Sequence, residues 1–188
     1  EFFNSPQHAM QLSKFLKLNS SPVFLSSLLI LAGCATQAPG PSASADLMPT
    51  KGNATAGSVS FKQVGSKVLV TAEVKGLKPN AEHGFHIHEK GDCSSGDGMS
   101  TGGHFNPTAQ AHGAHGVGSH HTGDLPSLKA DANGVAKLAF ESTTISVESG
   151  ATNIIGKGLI VHRDPDDYKT QPTGNAGPRL ACAVIQKI

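Results

Sequence analysis

Six short runs of this chain alternate apolar with polar residues or are rich in β-branched ones: Thr55–Val64, Lys67–Lys75, His83–His88, Gly134–Glu141, Lys157–His162 and Ala181–Lys187. A period of two sends successive side chains to opposite faces of a strand, so each run has one face to bury. Gly65-Ser66 and Asn133-Gly134 are compact hairpin signals, and Leu77-Lys78-Pro79-Asn80 reads as a wider connection. No long segment carries apolar residues at helical spacing, and 22 Gly, 11 Pro and no Trp fit a loop-rich β protein. Short strands with frequent turns predict an all-β, antiparallel sandwich or barrel.

Two segments break the pattern. Lys90 to Thr122 is rich in Gly, Ser and His, and Arg163 to Arg179 is rich in Asp, Pro, Gly and Thr. Both exceed the length of a hairpin turn, and long loops within a compact domain are commonly functional. Apart from Lys14, Lys17 and Glu1, positive and negative side chains balance, so the charge gives no support to nucleic-acid binding.

The N-terminal third reads differently. Residues 1–9 look like a non-native extension, and Met10 opens a signal peptide over 10–33: Lys14 and Lys17 supply a positive start, and Val23 to Leu31 an apolar stretch short for a bilayer span. Leu31-Ala32-Gly33-Cys34 resembles the lipobox of bacterial lipoproteins, in which the cysteine is lipidated and becomes the mature N-terminus; the alternative is a plain secretory peptide cleaved nearby. Residues 34–50, rich in Ala, Pro, Ser and Thr, read as a flexible tether, so the folded domain is expected over 51–188. If Cys34 carries lipid, Cys93 and Cys182 remain, and pairing is expected in an oxidising compartment.

Nine of the ten histidines fall between His83 and His162, a concentration that points to a metal. In Phe85-His86-Ile87-His88 the strand period puts both imidazoles on one face. Alone, that pair is also what a solvent-facing strand presents. The glycine-rich loop adds His104, His112 and His121, followed by Asp124, and a distant run ends in His162. Nitrogen and oxygen donors of this kind suit zinc and copper, and no thiolate cluster competes.

Gly-Phe-His-Ile-His-Glu at 84–89, His-Phe-Asn-Pro at 104–107, His-Thr-Gly-Asp-Leu at 121–125, Val-His at 161–162 and Gly-Asn-Ala-Gly-Pro-Arg-Leu-Ala-Cys at 174–182 resemble the copper/zinc superoxide dismutases, of the exported bacterial kind, over about Gly57 to Ile188. The resemblance implies a Greek-key β-sandwich or flattened barrel of about eight strands with two long functional loops. It implies copper at His86, His88, His104 and His162, and zinc at His104, His112, His121 and Asp124, with His104 bridging both. Asp166 would tie a copper histidine to a zinc histidine, Arg179 would stand beside the copper channel, and Thr173 would form part of its wall. His83 matches a hydrogen-bonding position, whereas His115 and His120 match no ligand and read as loop surface.

The implied reaction is dismutation of superoxide to dioxygen and hydrogen peroxide in the periplasm or cell envelope, with His104 taking and returning a proton. The implied partners are the superoxide anion, a membrane through the lipid on Cys34, and no nucleic acid, with a homodimer left open. The segment Asp167 to Thr173 lacks the acidic pair and lysine of many eukaryotic relatives, which leaves Lys90, Arg163 and Lys169 as candidate steering charges, and Pro178 replaces a serine common there. Two other readings are a dismutase-like protein that binds copper or zinc without efficient turnover, and an adhesive β-sandwich; the second leaves the ligand spacing unexplained.

Overall fold

The computed structural model describes residues 40–188; the extension, the signal segment and Cys34 lie outside them. Ten strands follow in order: β1 (Ser42–Pro49), β2 (Ala56–Val64), β3 (Lys67–Lys75), β4 (Glu82–His83), β5 (Phe85–His88), β6 (Leu128–Lys129), β7 (Ala136–Ser142), β8 (Gly158–His162), β9 (Arg179–Val184) and β10 (Gln186–Lys187). All named pairings are antiparallel, and the main sheet runs β5-β8-β9-β1-β2-β3-β7, with β10 beside β1 and β4 paired with β6. One 3-10 turn, Met99–Thr101, is the only helical element among the described residues.

β1 corrects the expected tether. Residues 42–49 lie in the middle of the sheet, pairing with β2 from Ser42 to Leu47 and with β9 at Met48 and Pro49. Ala43, Ala45 and Leu47 alternate into the core, while Ser42 and Ser44 stay half-buried. The period of two is present, but two of its three apolar members are alanine, whose small side chains gave the stretch the look of a linker. The fold therefore begins before Ser42, where Gln63 already donates a backbone hydrogen bond to Pro41 O at 3.0 Å.

Three further expectations change. The run His83–His88 divides at Gly84, because the N–H of Gly84 donates to Asp164 O at 2.9 Å and its carbonyl accepts from His162 N at 2.8 Å. A Cβ at Gly84 would stand 2.8 Å from that of Ala176, so the approach of the second long loop requires glycine. Asn133-Gly134 turns the chain between β6 and β7, which belong to different sheets, so it closes no hairpin; Gly65-Ser66 does join β2 to β3. The final run starts earlier, at Arg179, and breaks at the buried Ile185 before β10.

The core gathers Leu47, Phe61, Phe85, Ile87, Leu125, Leu128, Ile154 and Leu159, all nearly inaccessible to solvent. β5 and β8 are buried on both faces. Phe85 and Ile87 enter the core, and His86 and His88 point the other way, under the two long loops. The first loop also covers the free edge of β5: Ile87 N donates to Gly123 O, and Phe105 N and Gly123 N donate to Ile87 O and Phe105 O, each at 2.8 Å. This disposes of an exposed strand edge, and it carries His104 and Asp124 to positions beside β5, where they bridge to His88 and His86. Cys93 in that loop is bonded to Cys182 on β9, across 89 residues. In the chain-entropy model a crosslink of this span stabilises by roughly 4–5 kcal/mol.

Candidate metal centre

Two sets of buried side chains bring one donor atom each to within 4.8 Å of one another. The first is His86, His88, His104 and His162; the second is His104, His112, His121 and Asp124; His104 belongs to both. β5 supplies two imidazoles of the first set, the end of β8 supplies His162, and the first loop supplies the rest.

The outer ring nitrogens of the first set are anchored. His86 Nε2 donates to Asp166 Oδ2 at 2.8 Å, His88 Nδ1 to Gly102 O at 2.9 Å, and His162 Nδ1 to Gly177 O at 3.1 Å. A carbonyl only accepts, so in His88 and His162 the proton sits on Nδ1 and the lone pair on Nε2. The remaining nitrogens, His86 Nδ1, His88 Nε2, His104 Nε2 and His162 Nε2, are buried without a hydrogen-bond partner. Leaving one such group unsatisfied costs about 1–3 kcal/mol. Four of them drawn into one set have no explanation in packing and match the donors a metal ion takes.

Asp124 organises the second set. Its Oδ1 accepts from His104 Nδ1 at 2.8 Å, and its Oδ2 accepts the backbone N–H of His121 at 2.8 Å and of Gly113 at 3.1 Å. His112 Nδ1 lies 3.1 Å from Asp124 Oδ2, while its Nε2 donates to Asp166 Oδ1 at 2.9 Å. Asp166 thus joins His86 of the first set to His112 of the second through its two oxygens. Gly174 leaves it room: a Cβ there would stand 1.9 Å from Asp166 Oδ1 and 2.5 Å from His112 Nε2.

The family model described as copper/zinc superoxide dismutase matches residues 55–185. The chain belongs to that family. Its activity is the dismutation of superoxide, and its metals are copper and zinc. Among similar proteins, "Superoxide dismutase [Cu-Zn] 2" of Aquifex aeolicus is 37% identical over 170 residues, 88% of this chain and 98% of the relative. "Superoxide dismutase [Cu-Zn]" of Paramecium bursaria Chlorella virus 1 is 44% identical over 135 residues, covering 69% and 71%. The protein of that name from Saccharomyces cerevisiae is 42% identical over 144 residues, covering 72% and 92%.

The electrostatics of this copper/zinc dismutase separate its two sets. Burial, then the neighbouring imidazoles and Arg179, hold His88 and His162 well below the ordinary histidine range, so both are neutral and ready to ligate. Burial likewise brings His104 down to about 4 despite its bond to Asp124. In His112 burial is outweighed by Asp124 and Asp166, which raise it to about 9. Burial would raise both carboxyls, yet the histidine hydrogen bonds hold Asp124 and Asp166 far below the usual carboxylate range.

Arg179 lies beside the first set. Its Nη1 donates to Thr101 Oγ1 at 2.7 Å and its Nη2 to Gly102 O at 2.8 Å, the carbonyl that also receives His88 Nδ1. Of the expected steering charges, Arg163 is engaged by Asp164 at 2.9 Å and Lys90 stands 3.9 Å from Glu89, while Lys169 forms no ion pair among the described residues. Thr173 sits half-buried in the second loop.

His83 donates from Nδ1 to His162 O at 2.9 Å, the expected hydrogen-bonding place behind β8. His115 and His120 join neither set, but they are half-buried rather than plain loop surface: His115 Nδ1 bonds Asp124 O at 3.0 Å, and His120 Nδ1 bonds His121 O at 2.7 Å. The carbonyls of Gly102 and Gly177 and the side chain of Gln171 also hold His88, His162 and His112, and nothing in the sequence distinguishes them from ordinary loop residues.

Proposed function

We propose that His86, His88, His104 and His162 hold the copper, that His104, His112, His121 and Asp124 hold the zinc, and that Arg179 receives the anion. The observation that carries this reading is the group of four buried, unpartnered ring nitrogens, one of them on the histidine common to both sets. Bound copper supplies a centre that accepts and returns one electron, whereas zinc has no redox chemistry.

The side chains do the rest. Arg179, fixed by Thr101 and Gly102, offers a permanent cation beside His88, and a positive group near a small site draws in an anionic substrate. Asp166 orients His86 and His112 together, so the two sets cannot shift independently. His104 Nε2 is buried with no competing acceptor, which suits it to hold a proton and release it to peroxide. Two superoxide ions and two protons give one dioxygen and one hydrogen peroxide.

We also propose export to the periplasm or cell envelope and an anchor through lipid on Cys34. Support comes from the lipobox-like Leu31-Ala32-Gly33-Cys34 and from the Cys93–Cys182 disulfide, a bond that persists in oxidising compartments. No helix of the described residues is long and apolar enough to cross a membrane.

The deciding experiment follows superoxide decay directly, with metal analysis of the same sample. Metal-loaded protein should accelerate decay, removal of copper should abolish the effect, and His162→Ala should lose at least ~100-fold in rate, the scale of losing a group that holds the reacting centre. Decay no faster than buffer with copper bound would refute the roles given to Arg179 and His104 in turnover and favour a storage protein.

A further inference from the structure

Within its own loop the main chain of His112 has no hydrogen-bond partner. The whole of its backbone pairing comes from the second long loop, through one side chain: His112 N–H donates to Gln171 Oε1 at 2.8 Å, and Gln171 Nε2 donates to His112 O at 3.0 Å. A primary amide thus pairs with a peptide unit as a neighbouring strand would, with donor and acceptor both spent on one residue. The same loop also holds the ring, since Asp166 Oδ1 accepts from His112 Nε2 at 2.9 Å. Three contacts from one segment fix backbone and imidazole together, and they leave Nδ1 facing Asp124 Oδ2 at 3.1 Å.

We infer that Gln171 is a positioning residue for the second metal set: its amide fixes the backbone of His112 and so sets where Nδ1 stands relative to Asp124 and His104. Two bonds define an orientation where one would leave a pivot. Asp166 alone would let the ring swing about Nε2, and the donor atom would then leave the ion's reach. The side chain lies at the rim of the loop, and it also approaches Lys169 O at 3.3 Å. A bracing role confined to the loop is therefore the competing account, and the two accounts differ in what they do to the metal.

This inference rests on the zinc assignment proposed above, and the test separates the two. Full-length protein is stripped of metal and reloaded, zinc affinity is read by chelator competition, and the visible bands of cobalt placed in the second set report ligand geometry. Gln171→Met keeps length but makes neither hydrogen bond; it should weaken zinc binding by about 10-fold or more, as partners behind a metal ligand commonly do, and alter the cobalt bands. Gln171→Glu still accepts from His112 N–H but cannot donate when ionised, so it should fall between. Thr170→Ala removes the hydroxyl bond to Asp167 Oδ2 and loosens the same loop without touching His112; its affinity and bands should match the parent. A Gln171→Met protein with parental affinity and bands would overturn the inference, as would a Thr170→Ala protein that reproduces the Gln171→Met behaviour. Cobalt bands unchanged by His121→Ala would instead overturn the zinc assignment, and the inference with it.

Discussion

His112 is the residue at which charge and metal compete most directly. Its ring lies between two carboxylates, and in metal-free protein they raise it to about 9, so near pH 7.5 it carries a proton. Coordination through Nδ1 requires that proton to leave. Zinc uptake at pH 7.5 should therefore release about one proton, and affinity should rise with pH until about 9 and then level off. Calorimetric titration in two buffers of different ionisation heat measures the release; an absence of proton release would contradict the assignment of this nitrogen. At this scale much was legible in the sequence. The strand period puts His86 and His88 on one face, and the resemblance implies that His104, His112, His121, Asp124 and His162 gather beside them, as they do. What could not be read is how each ring is held. The carbonyls of Gly102 and Gly177 and the amide of Gln171 act through tertiary geometry, and a glycine or glutamine in a polar loop has the same appearance whether or not it supports a ligand.

Among the elements, β1 departs furthest from expectation, the runs that became β4–β5 and β9–β10 break where unbroken strands were expected, and the two long loops stand where the sequence puts them. Loops announce themselves by what they lack, since no alternation runs through Lys90 to Thr122 or Arg163 to Arg179, although the last of these residues opens β9. A strand built on Ala43, Ala45 and Leu47 has the right period but little apolar mass, and its value comes from its neighbours: β2, next in the chain, on one side, and the distant β9 and β10 on the other. Leu47 is 1% exposed and is the largest core side chain that β1 contributes. Leu47→Ala should cost about 2–5 kcal/mol, read as a lowered urea midpoint with an unchanged slope. A loss under about 0.5 kcal/mol, the scale of an ordinary surface change, would return residues 42–49 to the status of a linker.

At the largest scale, the sheet of the described residues acts as a base, and the two buried histidine and aspartate clusters lie on the face of β5 turned from the core, beneath two loops. Several crosslinks fasten that arrangement: the Cys93–Cys182 bond pins the first loop to β9, Arg179 of β9 reaches carbonyls of the same loop, and Asp166 joins the loops across the ligand sets. The general fold class was readable because short alternating runs leave few alternatives. The sheet order was not, since β3 with β7 and β5 with β8 meet across connections whose length says nothing about their path. At this scale the anchor is also tested. Mass spectrometry of protein extracted from membranes should find an acylated Cys34 at the N-terminus, and an unmodified terminus elsewhere would refute the lipid attachment.

The early start of β1 changes what such an anchor would mean. Only residues 35–41 separate Cys34 from Ser42, and a stretch of that length reaches at most roughly 25 Å when drawn out fully. A lipidated copy would then patrol a layer about one molecule deep above the bilayer. Confinement of that kind gathers the copies present into the layer next to the bilayer and so raises their concentration there above the compartment average. Superoxide arising at the membrane would meet the enzyme before it could diffuse away, and superoxide arising far from it would not.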